Sequence, residues 1–159
     1  MAGAAKFLPK PAPSRAAKGQ RTLNEAAQKR ANEAGLSPDQ VMPKVVAEAE
    51  ARFYVTSEDM PPSAAFYEPD QFGAQTRVTL NERHPFFTRI YNGPHSTAEL
   101  RDAINLLLLA LADAELDSDG DRELFYQAER SLWSRRLHAG VNRYDQIVGR
   151  DESRDDVAG

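Results

Sequence analysis

Between Thr76 and Leu116 a strand, a stop signal and a strongly apolar helix follow one another with few spare residues, and this succession limits the possible folds most. Thr76, Val78 and Leu80 alternate with Arg77 and Thr79, the two-residue repeat of a strand with one buried face. Asn81 to Pro85 ends the strand. Pro85 then opens a short helix in which Phe86, Phe87, Ile90 and Tyr91 share a face, and Asn92-Gly93-Pro94 closes it. Ser96-x-x-Glu99 reads as a capping box for a helix over 97–116. Leu100, Ile104, Leu107, Leu108 and Leu111 form one stripe on it, while Leu106, Leu109 and Ala110 carry apolarity most of the way round, a pattern that predicts burial on several sides.

A last helix, from about 120 to 138 and as far as 147, places Phe125, Leu132, Trp133 and Leu137 on its inner face. The tight turn Asp117-Ser118-Asp119-Gly120 folds it back on the leucine-rich helix as an antiparallel pair. Upstream, Phe53-Tyr54-Val55-Thr56-Ser57 is β-branched and aromatic with a two-residue alternation and reads as a second strand. Residues 58–75 contain Pro61, Pro62, Pro69 and Gly73, and read as a long loop held down by Phe66, Tyr67 and Phe72. The expected fold is therefore α+β and helix-dominated: a two-stranded β element packed on a helical hairpin, within one domain at 37–148. A lone pair of strands is marginal in water, so such a sheet needs covering helices or strands from a partner or a second copy.

Residues 1–21 are rich in Ala, Pro, Lys and Arg, with only Phe7 and Leu8 as large apolar groups, and read as a disordered basic arm. Thr22-x-x-Glu25 and Gly35 frame a short helix over 23–34 within a 22–36 segment. Ser37-Pro38-Asp39-Gln40 is a second start signal, after which Pro43 either kinks the helix or moves its beginning to about 43; Lys44 to Arg52 is helical either way. The 149–159 tail is acidic, short of apolar residues and expected to fray.

The chain has 159 residues, 41% of them hydrophobic and 28% charged, enough for one ordinary core. It has no cysteine, which excludes disulfides, thiolate metal sites and cysteine nucleophiles. The longest apolar run, Leu106 to Ala112, falls far below the roughly 20 residues that cross a bilayer. The N-terminus has no apolar block long enough for a signal-peptide core, and Pro9, Pro11 and Pro13 interrupt it, so a soluble protein without membrane contact is expected, cytoplasmic, or within a virion or host cytoplasm if phage-encoded.

Charge is distributed unevenly. Net charge is −4, yet Lys6, Lys10, Arg15, Lys18, Arg21, Lys29 and Arg30 against Glu25 make residues 1–30 about +6 and leave about −10 for the rest. Those seven cations are the candidate contacts of a nucleic-acid clamp, although they are spread over 25 residues with Phe7 as the one aromatic between them. A solvated tail, or an arm reaching into a neighbouring protein, is the preferred account of them.

Chemistry-bearing patterns are sparse. His84, His95 and His138 have no metal-ligand spacing, and His84 at a strand-to-helix junction reads as a backbone-bonding residue. The acidic stretch from Glu115 to Asp121 suggests a calcium loop, but alignment on Gly120 puts Tyr126 where a bidentate Glu belongs. No nucleophile elbow, phosphate-binding glycine loop or Ser/His/Asp set can be assembled. No catalytic residue, metal or cofactor is expected.

Phe53-Tyr54-Val55, Ala65-Phe66-Tyr67 and Val78-Thr79-Leu80-Asn81-x-x-His84-Pro85-Phe86-Phe87 with Tyr91 form a pattern completed by Ala114-Glu115-Leu116 and Leu132-Trp133-Ser134. It resembles the segment downstream of the nucleotide-binding domain in bacterial and phage GHKL-type ATPases, and covers about half the chain. The Asn-bearing helix, Asp-x-Gly loop and glycine-rich lid that bind ATP in that superfamily have no counterpart here. The resemblance therefore implies a non-catalytic protein-interaction or assembly module, an accessory subunit of a GHKL-type ATPase system. The incomplete sheet and the apolar helix surface point separately to contact with a protein partner or a second copy, with Phe53, Val55, Val78, Leu80, Phe86 and Phe87 at or near it. A small nucleic-acid-associated protein and a subunit completing a split ATPase are the other readings.

Overall fold

Strand β3 (Gln75–Asn81) runs between β1 (Phe53–Glu58) and β2 (Tyr67–Phe72), so the sheet has three strands in the order β1-β3-β2 rather than two. β1 is parallel to β3, with Val55 opposite Val78, and β2 is antiparallel to it, with Tyr67 opposite Leu80. This computed structural model describes residues 13–50 and 53–155, apart from the side chains of 13, 53, 145 and 147–155. Among the described residues four α-helices accompany the sheet: α1 (Pro13–Ala34), α2 (Pro38–Ala49), α3 (Ala98–Leu116) and α4 (Gly120–Asp155). The α+β, helix-dominated class is as expected.

The segment expected to be a loop holds β2 because its proline falls where a strand can accept one. Asn81 N–H donates to Phe66 C=O at 2.8 Å, so Phe66 faces β3 and, by alternation, Pro69 points its missing N–H away from the ladder. The β2–β3 connection is the two-residue loop Gly73-Ala74, with φ +59° at Gly73 alone, as a type II′ hairpin turn requires. That Gly-x signal was present in the sequence; the prolines around it obscured it.

Register places Val55, Tyr67, Val78 and Leu80 on one face of the sheet, where they meet Leu108, Leu109 and Ala112 of α3. Phe66 completes this core from the loop, and Trp133 and Leu137 of α4 pack at its margin. A second cluster joins Ala27 and Ala31 of α1 to Val41, Val45 and Ala49 of α2 and to Phe72 of β2. α3 is buried along one side only, since Leu106 and Leu107 are 48% and 58% exposed. Phe125, expected inside, is 60% exposed, because the inward side of α4 runs through Arg130, Trp133, Ser134 and Leu137 instead.

Local signals explain most helix ends. Ser37 N–H donates to Gln40 Oε1 at 2.9 Å, and α2 continues through Pro43 to Ala49. Gly35, at φ +66°, ends α1 while Leu36 N–H returns to Ala31 C=O. Thr97, not Ser96, caps α3 by accepting from Leu100 N–H; Ser96 Oγ bonds Tyr91 C=O. The short helix after Pro85 becomes a π-helical turn at Phe87–Tyr91, with Asn92 N–H donating to Phe87 C=O. The α4 backbone continues to Asp155, so the tail expected from 149 is helical over 149–155.

Of the expected arm, residues 1–12 lie outside the described residues, and 13–21 depart from the expectation. α1 already begins at Pro13, and what orders it is polar: buried Arg15 bonds Asp113, Asp117 and Thr76, while Gly73 N–H donates to Thr22 Oγ1 at 3.0 Å. Gly19 lies so close to the hairpin that a Cβ there would sit 2.3 Å from Gly73 O. Gly→Ala inside a helix ordinarily gains about 0.5–1 kcal/mol, but this clash with backbone costs about 1–3 kcal/mol. Gly19→Ala is thus expected to lower the chemical-denaturation midpoint; an unchanged or raised midpoint would contradict the close approach.

Candidate interaction surface

The two edges of the sheet are treated differently. Glu82 N–H donates to Glu58 C=O at 3.0 Å, so the backbone groups of Tyr54, Thr56 and Glu58 turn toward β3. Alternation then turns the N–H and C=O of Val55 and Ser57 outward, and no described residue pairs with them. β1 over 53–57 carries no proline, no lysine and no charge, the usual devices that blunt an edge. On β2 the outward positions are Tyr67, whose C=O receives Arg130 at 3.5 Å, Pro69, which has no N–H, and Gln71, whose side chain ties to Arg15 C=O. One edge is closed and the other is open.

Side chains around the open edge support a strand at that position. Val55 and Ser57 point toward the α3 side, Val55 joining the core and Ser57 Oγ donating to Glu82 at 2.6 Å. Tyr54 stands on the other face, 51% exposed, with the Arg77 guanidinium 5.7 Å from its ring. Arg77 also lies 3.9 Å from the Phe72 ring and pairs with Glu48 at 3.0 Å. The sequence reads Tyr54 and Ser57 as strand residues but does not single them out for a contact, because an edge is defined by what pairs with it, and only the register supplies that.

The residues expected at a contact divide into three groups. Val55 lies on the open edge, and so does the backbone of Phe53, whose side chain is outside the described residues. Val78 and Leu80, at 0% and 1% exposure on the central strand, support the surface from within and cannot touch a partner. Phe86 packs on Phe66 with ring centres 4.9 Å apart, and Phe87 stacks on Tyr91 at 5.3 Å; both are partly covered.

Three of the seven basic residues are paired within the fold. Arg15 is 5% exposed and pairs with Asp113 at 2.7 Å and Asp117 at 3.0 Å; Lys18 lies 3.8 Å from Glu123; and Arg30 pairs with Glu48 at 2.7 Å. The Arg30 hydrogen bond holds the Glu48 carboxyl below the usual carboxylate range. Arg21 and Lys29 are exposed on α1, and Lys6 and Lys10 lie outside the described residues. A clamp built from all seven does not form, because buried Arg15 is a structural cross-link.

Several groups with catalytic potential are also engaged. His84 Nε2 donates to Ser134 C=O at 2.9 Å, and its Nδ1 accepts from Phe86 N–H at 3.2 Å, which defines a neutral imidazole with neither nitrogen spare. Burial lowers its pKa, and the nearby His138 acts in the same direction. Burial, aided by Glu115, pushes the Tyr67 phenol up to about 12. In the acidic turn, Glu115 is bound by Arg130 and Asp117 by Arg15, so these carboxylates face different cations instead of one central site. Among the described residues no group of three or more His, Asp or Glu could hold a metal ion, and no helix is long and apolar enough to cross a membrane.

No protein-family model, curated protein or solved structure matches this chain.

His84 generates a pH prediction. With its folded pKa lowered below the ordinary value near 6.5, the unfolded chain takes up the proton first as pH falls. Its contribution is flat above neutrality and becomes destabilising as pH drops through 6.5 toward the folded value. Urea midpoints measured between pH 7.5 and 5.5 should fall, with a shallower fall in His84→Gln; identical slopes would contradict the assignment.

Proposed function

We propose that this chain is a non-catalytic protein-interaction module that assembles by accepting an additional strand on β1. The observation that carries this reading is the asymmetry of the sheet: β2 is blunted by Pro69 and Arg130, while Val55 and Ser57 of β1 present unpaired backbone groups on a neutral stretch. Backbone hydrogen bonds would supply the affinity, and the alternating Tyr54 and Val55 faces the selectivity. The strand can come from a partner protein or from β1 of a second copy, which would join two three-stranded sheets into one. The satisfied His84, the neutral Tyr67 and the paired acids of the 115–121 turn favour a binding role over a catalytic one.

The resemblance to the region downstream of GHKL nucleotide-binding domains fits an accessory role, since that comparison carries over no ATP-binding element. In such a role the chain contributes a docking rail, and any nucleotide chemistry belongs to the partner.

Two prolines separate docking from folding. At Ser57 proline removes an outward N–H and leaves the β1–β3 ladder intact, whereas at Thr56 it removes a ladder hydrogen bond. The full chain is examined by sedimentation velocity over a broad concentration range and used to select binders from a displayed library of extended peptides. Self-association or peptide binding that Ser57→Pro abolishes at nearly unchanged melting temperature is the expected result, with Thr56→Pro lowering the melting temperature outright. A strictly monomeric chain that selects no peptide, or association indifferent to Ser57→Pro, would overturn the reading.

A further inference from the structure

Away from β1, the π-helical turn and the second half of α4 enclose an apolar groove of about 410 Å³. Phe86 and Ile90 form one wall, and Trp133, Leu137, Val141 and Tyr144 form the other. The α4 positions 133, 137, 141 and 144 repeat at helical spacing, so the groove follows that helix for about 16 Å, three turns at 1.5 Å per residue. Such a length suits a short partner helix laid alongside.

Two further observations say what that helix should be like. From Arg130 to Tyr144 the sequence has no Asp or Glu, an inversion within a chain whose residues after 30 carry about −10. Arg130 is occupied by Glu115, but Arg135, Arg136 and Arg143 have no acidic partner at ion-pair distance among the described residues, and Arg136 lies on the groove itself. The second observation is Gly140, which lines the groove from within α4. A Cβ there would meet nothing within 4 Å and its φ is not positive, so the fold itself does not require glycine. A glycine inside a helix costs about 0.5–1 kcal/mol relative to alanine. The absence of a side chain leaves the groove open.

We infer that this groove is a second docking site, one that receives an acidic amphipathic helix: apolar side chains enter between Ile90 and Val141, and carboxylates meet Arg136 and its neighbours. The inference goes beyond the strand-edge reading and does not depend on it.

Trp133 is the single tryptophan and lines the groove, so its emission reports occupancy directly. The full chain is titrated with a Trp-free and Tyr-free helical peptide of about four turns, bearing Leu and Phe at i, i+3, i+4 and i+7 and Glu elsewhere. Three controls accompany it: the same peptide with Lys for Glu, an equally acidic peptide without apolar residues, and two polyanions, a DNA duplex and anionic phospholipid vesicles. The expected result is a saturable blue shift with the acidic amphipathic peptide alone, weakened roughly tenfold by Arg136→Gln and by added salt, and abolished by Gly140→Leu. Because a Cβ at 140 meets nothing within 4 Å and leucine favours helix over glycine, Gly140→Leu should melt no lower than the parent chain. Ser57→Pro should leave the titration unchanged, so failure of either site is distinguishable from failure of the other. No blue shift with that peptide, equal binding of the Lys peptide, the non-apolar acidic peptide, DNA or vesicles, or full binding by Gly140→Leu would each overturn the proposal.

Discussion

Everything in this domain is organised around the double commitment of β3. Its backbone pairs on both sides, in parallel with β1 and antiparallel with β2, while Val78 and Leu80 are buried against α3. A central strand can serve two neighbours only by alternation: Arg77, Thr79 and Asn81 bond toward β2, and Val78, Leu80 and Glu82 toward β1. Because the sheet has three strands among the described residues, two edges remain. The chain closes one with a proline and an arginine and leaves the other plain. The functional reading grows from that difference, and not from a catalytic group.

The N-terminal half is attached by a different physics. α1 and α2 bury little more than alanines and valines with Phe72, a small apolar yield for 34 helical residues. Attachment to the rest therefore leans on polar and steric fit: Arg15 reaching Thr76, Asp113 and Asp117, Gln71 reaching Arg15 C=O, and Gly19 letting α1 touch the hairpin. Breaking a buried ion pair by removing one partner typically costs about 3–5 kcal/mol, so the Arg15 cross-link is a substantial constraint on where α1 sits. It also withdraws from solvent a charge that the linear sequence offers to phosphate.

Much of the architecture was legible in the sequence because it is written in local signals. The alternation of Thr76, Val78 and Leu80, the cap near Ser37, the glycine stop at 35 and the leucine repeat before Leu116 each specify their element without help from distant residues. What the sequence concealed depends on partners far along the chain. Pro69 reads as a strand breaker until its position on an outer edge is known, and Arg15 reads as a solvated cation until Asp113 and Asp117 are folded against it. Phe125 and Leu107 look like core by type but are exposed, since only the folded arrangement decides which side of a mostly apolar helix is covered. Of the residues expected at a contact, Val55 lies at the sheet edge, but nothing in a linear pattern separates it from Val78, one strand inward and fully buried.

The open edge of β1 is the claim on which the account stands, and residue-resolved amide hydrogen exchange in the dilute full chain tests it most directly. Thr56, whose N–H faces β3, should exchange slowly, and Val55 and Ser57, whose N–H groups face outward, at least about 100-fold faster. Fast exchange at both outward positions, slowing when a strand-adding partner or a second copy binds, is the expected result. Equal and strong protection of Val55, Thr56 and Ser57 in the dilute, unliganded chain would mean that the edge is already covered, and would contradict it.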